Sequence, residues 1–391
     1  MQIPVYIRTA LDKLTTAGFS AYVVGGSVRD SVLGINPTDF DLATSAAPEQ
    51  TKACFDGFRQ FYAGVKHGTV SVIIDGNVVE ITTFRIDGEY QDSRRPQNVT
   101  FTQDLQKDLA RRDFTVNAMA FHPQVGILDF FGGVEDIKTK TIRCIGDSRV
   151  RFTEDALRIL RALRFSSALG FDIEPSTQQG MRDCARLLLN ISKERIVFEI
   201  KKIITGKNAK NVLEKHFHII QTVAPEIERL KPELFENTSE NMYVRLAFLM
   251  LYCENPNRLM RRLGFDNNTR ETVRILLDWK AKELRPEPVF LKQQLRYVSL
   301  DDLCLAAKFK SGVDGADYSN VLALINQIIG QNQCFSLESL AIDGGDVMAL
   351  GFSGKQVGAV LNGLLDMVIC GQVENKKTAL IKAVKSMDLP N

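Results

Sequence analysis

A strand that runs into paired glycines, opens a helix and is soon followed by two aspartates at i and i+2 leaves few folds available. The segment AYVVGGSVRDSVLGINPTDFDLAT, from Ala21 to Thr44, has that order. Tyr22, Val23 and Val24 read as a short buried strand that stops at Gly25-Gly26. Ser27, Val28, Asp30, Val32 and Leu33 continue at helical spacing to Gly34, which stands where a helix ends. A strand turning through glycines into a helix N-terminus leaves backbone N–H groups uncovered, a setting that suits phosphate. Arg29 adds a planar cationic fork one turn in. After a turn at Asn36-Pro37 the chain enters Asp39-Phe40-Asp41-Leu42. Alternate residues of a strand face one way, so both carboxylates are expected on one side. Such a pair, opposite an anion cradle, suits two Mg²⁺ ions ~3.5–4 Å apart for displacement at phosphorus. Either feature alone is most often structural, D-x-D a solvated turn and Gly-Gly a tight one. The functional reading rests on their joint spacing.

With 391 residues, 45% hydrophobic and 25% charged, the chain has the makeup of globular protein with room for about two to four domains. No apolar run reaches the length of a membrane span, and MQIPVYIRTALDKL reads as an amphipathic helix rather than a signal peptide. No membrane partner is expected, and the expected location is the cytoplasm. Seven cysteines without C-x-x-C spacing argue against a zinc site or a disulfide framework. None of the four histidines is followed by Asp, which removes the His-Asp metal pair of a phosphohydrolase; His216 and His218 lack a third ligand and read as structural. A net charge of +2 is too small to announce a nucleic-acid binder, so placement of charge matters more than its total.

Residues 1 to 20 read as a helix on Ile7, Leu11 and Leu14, and Pro48 to Phe58 as another. Gly68 to Ile74 and Val78 to Arg85 read as a hairpin joined by Asp75-Gly76-Asn77. Glu80, between Val79 and Ile81, is either a third carboxylate of the metal site or a solvent-facing edge residue. Arg85 to Phe101, RIDGEYQDSRRPQNVTF, is a polar segment that physics alone reads as a mobile lid. Ala110 to Ala120, ARRDFTVNAMA, sets two arginines before an aspartate. Asp129 to Gly146 turns through Gly132-Gly133 and ends in a strand over Thr141 to Ile145. Thr153 is the expected N-cap of a helix through Phe165, with Glu154 and Asp155 in its first turn. Asp155, Arg158, Arg161 and Arg164 fall on one half of it, and Ala156, Ile159, Leu160 and Leu163 on the other. Taken alone, that arginine row is a salt-bridged outer face. Ser192 to Lys215 reads as a basic helix suited to an RNA backbone. From about 206 onward helical spacing prevails, over 243–252, 259–263, 272–281 and 293–307, with Pro286-Glu287-Pro288 as a hinge.

G-G-x-V-R-D followed by D-x-D-L-A-T resembles the nucleotidyltransferase signature of the DNA polymerase β superfamily. The form is that of class II tRNA nucleotidyltransferases (CCA-adding enzymes) and bacterial poly(A) polymerases. Arg111-Arg112-Asp113 resembles the second motif of that family, Glu154-Asp155-x-x-Arg158 the motif that chooses the nucleotide, and Glu194-Arg195-Ile196 with Glu199 a later one. The segment from Gly344 to Gly358 resembles its C-terminal region.

The resemblance implies an α+β fold: a nucleotidyltransferase head with a mixed sheet (1–145), then an all-helical neck (146–205), body (206–288) and tail (289–391). It implies template-independent addition of C, C and A to tRNA from CTP and ATP, with Mg²⁺ on Asp39 and Asp41. Gly25, Gly26 and Arg29 would cradle the triphosphate and Arg112 would contact the nucleotide. Arg161 and Arg164 would lie near its phosphates or base. The body and tail would grip the acceptor and TΨC arms. Asp155 accepting from an exocyclic amine while Arg158 donates to ring acceptors mimics a base-pairing edge for cytosine or adenine; uracil and guanine present a carbonyl there. In the family, the segment between the first two motifs is needed for the switch from C to A, so its presence argues against a CC-only enzyme. The ending Asn117-Ala118-Met119-Ala120 argues against poly(A) activity. An A-adding relative and an inactive RNA-binding relative remain alternatives at this point.

Overall fold

The computed structural model describes residues 1–88, 90–91, 95–96, 99–236 and 238–386. Ile7, Ala10, Leu11 and Leu14 recur at helical spacing and are all buried, so Val5–Thr16 is a helix whose apolar face lies on a sheet. The sheet has seven strands in the order Gly126–Asp129, Met119–His122, Ala21–Val24, Asp41–Thr44, Asn77–Thr83, Thr69–Ile74, Gln60–Phe61. Neighbours are antiparallel except Asp41–Thr44 with Asn77–Thr83, which run parallel. This is the mixed sheet expected for the head. In Thr69–Ile74 the buried residues Val70, Val72 and Ile74 alternate with less buried ones, and the chain reverses through Asp75 (φ 49°) and Gly76 (φ 77°). Asn77 is already paired with Ile74 and belongs to the strand rather than the turn.

Several expectations are corrected. The strand carrying the second aspartate starts at Asp41, so Asp39 precedes the ladder instead of sharing it; buried Phe40 lies between them. The helix expected from Thr153 is two helices. Ser148–Glu154 is capped by Asp147, whose carboxylate accepts the Arg149 N–H at 2.8 Å, and Thr153 lies inside it with its hydroxyl on the Arg149 carbonyl. Asp155 is extended (φ −138°, ψ 102°), and Leu157–Leu169 follows. The basic stretch after Ser192 is also two helices, Lys193–Ile204 and Ala209–Val223. Between them lies Gly206, whose backbone comes so close to Ser167 that an added Cβ would stand 2.2 Å from its Oγ. Ser299 caps Leu300–Asp314 by accepting the Asp302 N–H, which divides that helix from Pro288–Gln294. Only Thr141–Ile142 of the strand expected to Ile145 forms, parallel to Asp172–Ile173.

In the polar segment, Arg85–Asp87 pairs antiparallel with Val99–Phe101, and Tyr90–Gln91 with Arg95–Pro96. Residues 89, 92–94 and 97–98, and with them part of the expected lid, lie outside the described residues.

The chain divides into two compact units, Met1–Glu228 with Arg262–Gly264, and Arg229–Arg261 with the chain from Phe265 on. The second is helical; in its interior Phe248 stacks on Phe309 and meets Phe235 edge-on, and Gly312 lies so close to the Phe248 ring that a Cβ would clash at 2.4 Å. A further cluster gathers Val347, Val360, Leu364, Ile369 and Leu380. Among the described residues no helix is long and apolar enough to cross a membrane, and all seven cysteines are free.

Candidate active site

Gly25 ends the buried Ala21–Val24 strand and begins the Gly26–Val32 helix with φ 76° and ψ −132°, a conformation that L side chains rarely adopt. Its N–H donates to the Met119 carbonyl at 3.3 Å, and a Cβ added there would stand 3.1 Å from Arg112 Nη1. The glycine thus brings the backbone and a guanidinium to the same spot. Arg29, on the helix, donates through Nη1 to Asn117 Oδ1 at 2.7 Å and through Nε to Asp30 at 2.9 Å. Asn117 Nδ2 donates in turn to Asp113 Oδ1 at 3.2 Å, and Arg161 Nε donates to Asp113 Oδ2 at 2.7 Å. Burial alone would raise the Asp113 carboxyl, but Arg161 and Asn117 outweigh it and hold it below the ordinary carboxylate range. One chain of hydrogen bonds therefore ties the glycine-flanked helix to the arginine helix.

Phe165 sits within that set. The guanidinium groups of Arg29, Arg161 and Arg164 lie 5.4, 5.3 and 4.6 Å from its ring centre, and Phe114 meets its edge at 5.8 Å. Ile159, Leu160 and Leu163 on the opposite half of the Leu157–Leu169 helix are fully buried, as expected of a core half; on the other half Arg161 and Arg164 are partly exposed, but Arg158 is buried and Asp155 precedes the helix.

Asp41 pairs with Val24 on one side and Glu80 on the other. Both carboxylates are exposed while Leu42, Val79 and Ile81 are buried, so they emerge from one face of the sheet. Surrounding protein, then Asp39, then Glu80 push the Asp41 carboxyl above the ordinary range, and Arg112 opposes them. Asp39 is close enough to act on Asp41 although it lies ahead of the strand. Among the described residues, no group of three His, Cys, Asp or Glu side chains could by itself hold a metal ion.

Asp155, extended between two helices, accepts the Leu157 N–H at 3.1 Å and Arg195 Nη2 at 2.9 Å. Arg158 is 7% exposed and donates to Glu154 at 2.7 Å and to the Arg111 carbonyl at 2.8 Å. The two base-reading candidates are therefore held by different partners, each fixed in orientation from behind. Gly25, Gly26, Arg29, Arg112, Asp155, Arg158 and Arg161 line one cavity of about 820 Å³. Arg164 does not line it; its guanidinium turns to buried Glu199 at 3.2 Å. Asp39 and Asp41 are not among the lining residues either, and Asp41 meets the cavity electrostatically through Arg112. Sequence reasoning gave no role to Asn117, Asp113 or Phe165. Helical spacing does not mark the Asp113–Asn117 bond, because extended Phe114 (φ −131°, ψ 150°) lies between them, and nothing in the sequence marks Arg195 as the partner of Asp155.

Three family models match the chain: "Poly A polymerase head domain" over residues 21–143, "Probable RNA and SrmB- binding site of polymerase A" over 170–231, and "tRNA nucleotidyltransferase domain 2 putative" over 235–384. The CCA-adding enzyme of Leuconostoc mesenteroides is 36% identical, with 96% of this chain and 94% of that protein covered. That of Streptococcus mutans is 34% identical over 96% and 95%. The crystal structure of the Bacillus stearothermophilus CCA-adding enzyme in complex with CTP superposes with a TM-score of 0.86 at 31% identity, covering 98% of each chain. A Thermotoga maritima CCA-adding enzyme complexed with tRNA shares the fold, with a TM-score of 0.68 at 22% identity. With identity sustained over nearly the whole of these relatives, the chain belongs to the class II tRNA nucleotidyltransferases, the family of the CCA-adding enzymes.

Proposed function

We propose that the protein adds C, C and A in turn to the 3′ end of tRNA, using CTP and ATP and releasing pyrophosphate. The observation that carries this reading is the single cavity that holds the glycine cradle, Arg112, Asp155 and Arg158 together. Gly25, Gly26 and Arg29 bind the triphosphate, and Arg112 contacts the nucleotide beside Gly25. Arg161 braces Asp113 and so supports the cradle from behind, while Arg164 supports the site by stacking on Phe165. Asp155 accepts from the exocyclic amine of cytosine or adenine, and Arg158 donates to the ring. Asp155 can keep Arg195 while doing so, because an ionised carboxylate has about four lone-pair sites. The tRNA 3′-hydroxyl attacks the α-phosphate, and the cationic lining receives the charge that develops on the leaving pyrophosphate.

Enzymes of this family are metal-dependent. The donors here fit that requirement: Asp39 and Glu80 both push Asp41 toward protonation, a repulsion that a divalent cation relieves. Asp39 and Asp41 would hold magnesium, which binds through one or two carboxylates plus substrate phosphates and supplies charge neutralisation at the phosphate and acidification of the attacking hydroxyl. The head (1–145) and neck (146–205) carry the chemistry, and the body (206–288) and tail (289–391) bind the acceptor and TΨC arms. In support, Arg229, Lys231 and Lys280 gather around the Tyr252 ring at 4.1 to 5.9 Å, exposed cations with no acidic partner among the described residues, as suits a polyanion. A cytoplasmic location agrees with the substrates.

The test uses tRNA trimmed to its discriminator base, magnesium, and CTP and ATP singly and together, with the 3′ ends sequenced. CTP alone should give two C residues, both nucleotides the complete CCA, and UTP or GTP nothing. Asp41→Ala should reduce incorporation to background with tRNA binding intact. Normal turnover by that variant would remove the reading.

A further inference from the structure

Asp108 breaks the pattern of its own helix. Leu105–Ala110 sets Leu105, Asp108 and Leu109 on one face, and Leu105 and Leu109 enter a core with Val24, Phe84 and Ala120. Asp108 goes in beside them, 1% exposed. Carboxylates are almost never so buried unless paired. One of its oxygens is fully used: Oδ1 accepts the Arg85 backbone N–H at 3.1 Å, Arg111 Nε at 3.0 Å and Arg111 Nη2 at 2.7 Å. The other is not. Oδ2 makes no hydrogen bond, and Arg112 Nη2 stands 3.6 Å away from it.

Arg112 has the complementary deficit. Its Nε is buried without a hydrogen-bond partner, its Nη1 lies against Gly25, and Asp41 acts on it electrostatically. A buried carboxylate oxygen and a partly buried guanidinium thus face each other just outside hydrogen-bond reach, and a movement of under about 1 Å would join them. Each unmet group is destabilising where it stands. The Nη1 end of the same guanidinium stands at Gly25 on the cavity wall, where the nucleotide phosphates enter in the reading above.

We propose that Asp108 is the positioning residue for Arg112. Its Oδ2 keeps the guanidinium at the Gly25 side of the cavity, available to the nucleotide. Its Oδ1 makes that stance depend on Arg85 and Arg111. The tether reaches the catalytic sheet as well, because the Phe84 N–H donates to the Thr44 carbonyl at 2.7 Å, at the end of the strand that starts with Asp41. The proposal rests on the reading of Arg112 as a nucleotide contact, and names what sets its position.

The test is a double-mutant cycle on the full chain. Dissociation constants for CTP and ATP are measured by calorimetry with magnesium and without tRNA, for wild type, Asp108→Asn, Arg112→Gln and the double variant; KM and kcat on trimmed tRNA follow. Asp108→Asn should weaken both nucleotides about tenfold and raise KM alike, with kcat within about twofold, and should add under about twofold once Arg112 is Gln. Equal losses in both backgrounds would assign Asp108 to fold support alone and overturn the proposal, as would unchanged nucleotide binding in Asp108→Asn. Should Asp108→Asn fold poorly, the melting temperature decides. Arg112→Gln removes the buried charge left unpaired and should restore stability, and failure of the double variant to recover also overturns the proposal. A wild type that binds CTP yet does not extend tRNA counts against the transfer reading and leaves the cycle interpretable.

Discussion

Gly25 and Gly26 are adjacent and chemically identical, but they are under different constraints. At Gly25 the backbone has φ 76°, and an added methyl would crowd Arg112 at 3.1 Å; at Gly26 φ is ordinary, and the nearest atom, Arg29 Nη2, would be 3.5 Å away. Gly25→Ala therefore forces either a backbone change or displacement of Arg112, the proposed nucleotide contact. Its KM for CTP should rise about tenfold with a lowered melting temperature, and Gly26→Ala should change KM by under about threefold. Steady-state kinetics on the two variants checks this. Equal effects would mean that Arg112 yields freely and that Gly25 serves only the turn.

At the scale of elements, regular spacing was legible and side-chain pairing was not. The strand into Gly25, the helix ending at Gly34, the Asp75-Gly76 reversal and the core half of the Leu157–Leu169 helix could all be read from the sequence, because each is set by residues close together in the chain. The break at Asp155 could not, since Asp147 supplies a cap one element earlier and a long-range bond to Arg195 holds the extended residue. Gly206 reads as neutral in sequence, and its role depends on Ser167 across the packing. The Asp113–Asn117–Arg29 chain and the buried Asp108 likewise need the sheet assembled before their partners exist.

The Ala209–Val223 helix offers a test at this scale. It is kinked at His216 (φ −130°, ψ 18°), which is buried, and burial, His218, Arg182 and Lys215 lower the imidazole to about 4 against a partial offset from Asp172. The unfolded chain binds this proton near 6.5 and the folded one near 4. Stability is therefore fully present above pH 6.5 and is lost as pH falls through that window. Between pH 7 and 4.5 the melting temperature of the wild type should fall roughly 5–10 °C further than that of His216→Gln. Parallel melting curves would remove His216 from the acid response.

Across the molecule as a whole, the proposed nucleotide site falls within one compact unit. Every residue lining the large cavity, from Gly25 to Arg195, lies in Met1–Glu228, while the Tyr252 patch with Arg229, Lys231 and Lys280 lies in the other unit. A ligand that binds only the folded form of one unit stabilises that unit by mass action, about 2.7 kcal/mol at a hundredfold excess over Kd. Scanning calorimetry of the full chain should resolve two transitions, of which CTP with magnesium raises one. The responding transition should be lost from CTP's influence in Arg112→Gln and kept in Lys280→Gln, since only the first substitution touches the cavity. If CTP shifted all of the unfolding heat together, the two units would unfold as one cooperative body, and the proposed division of roles between them would have no counterpart in their energetics.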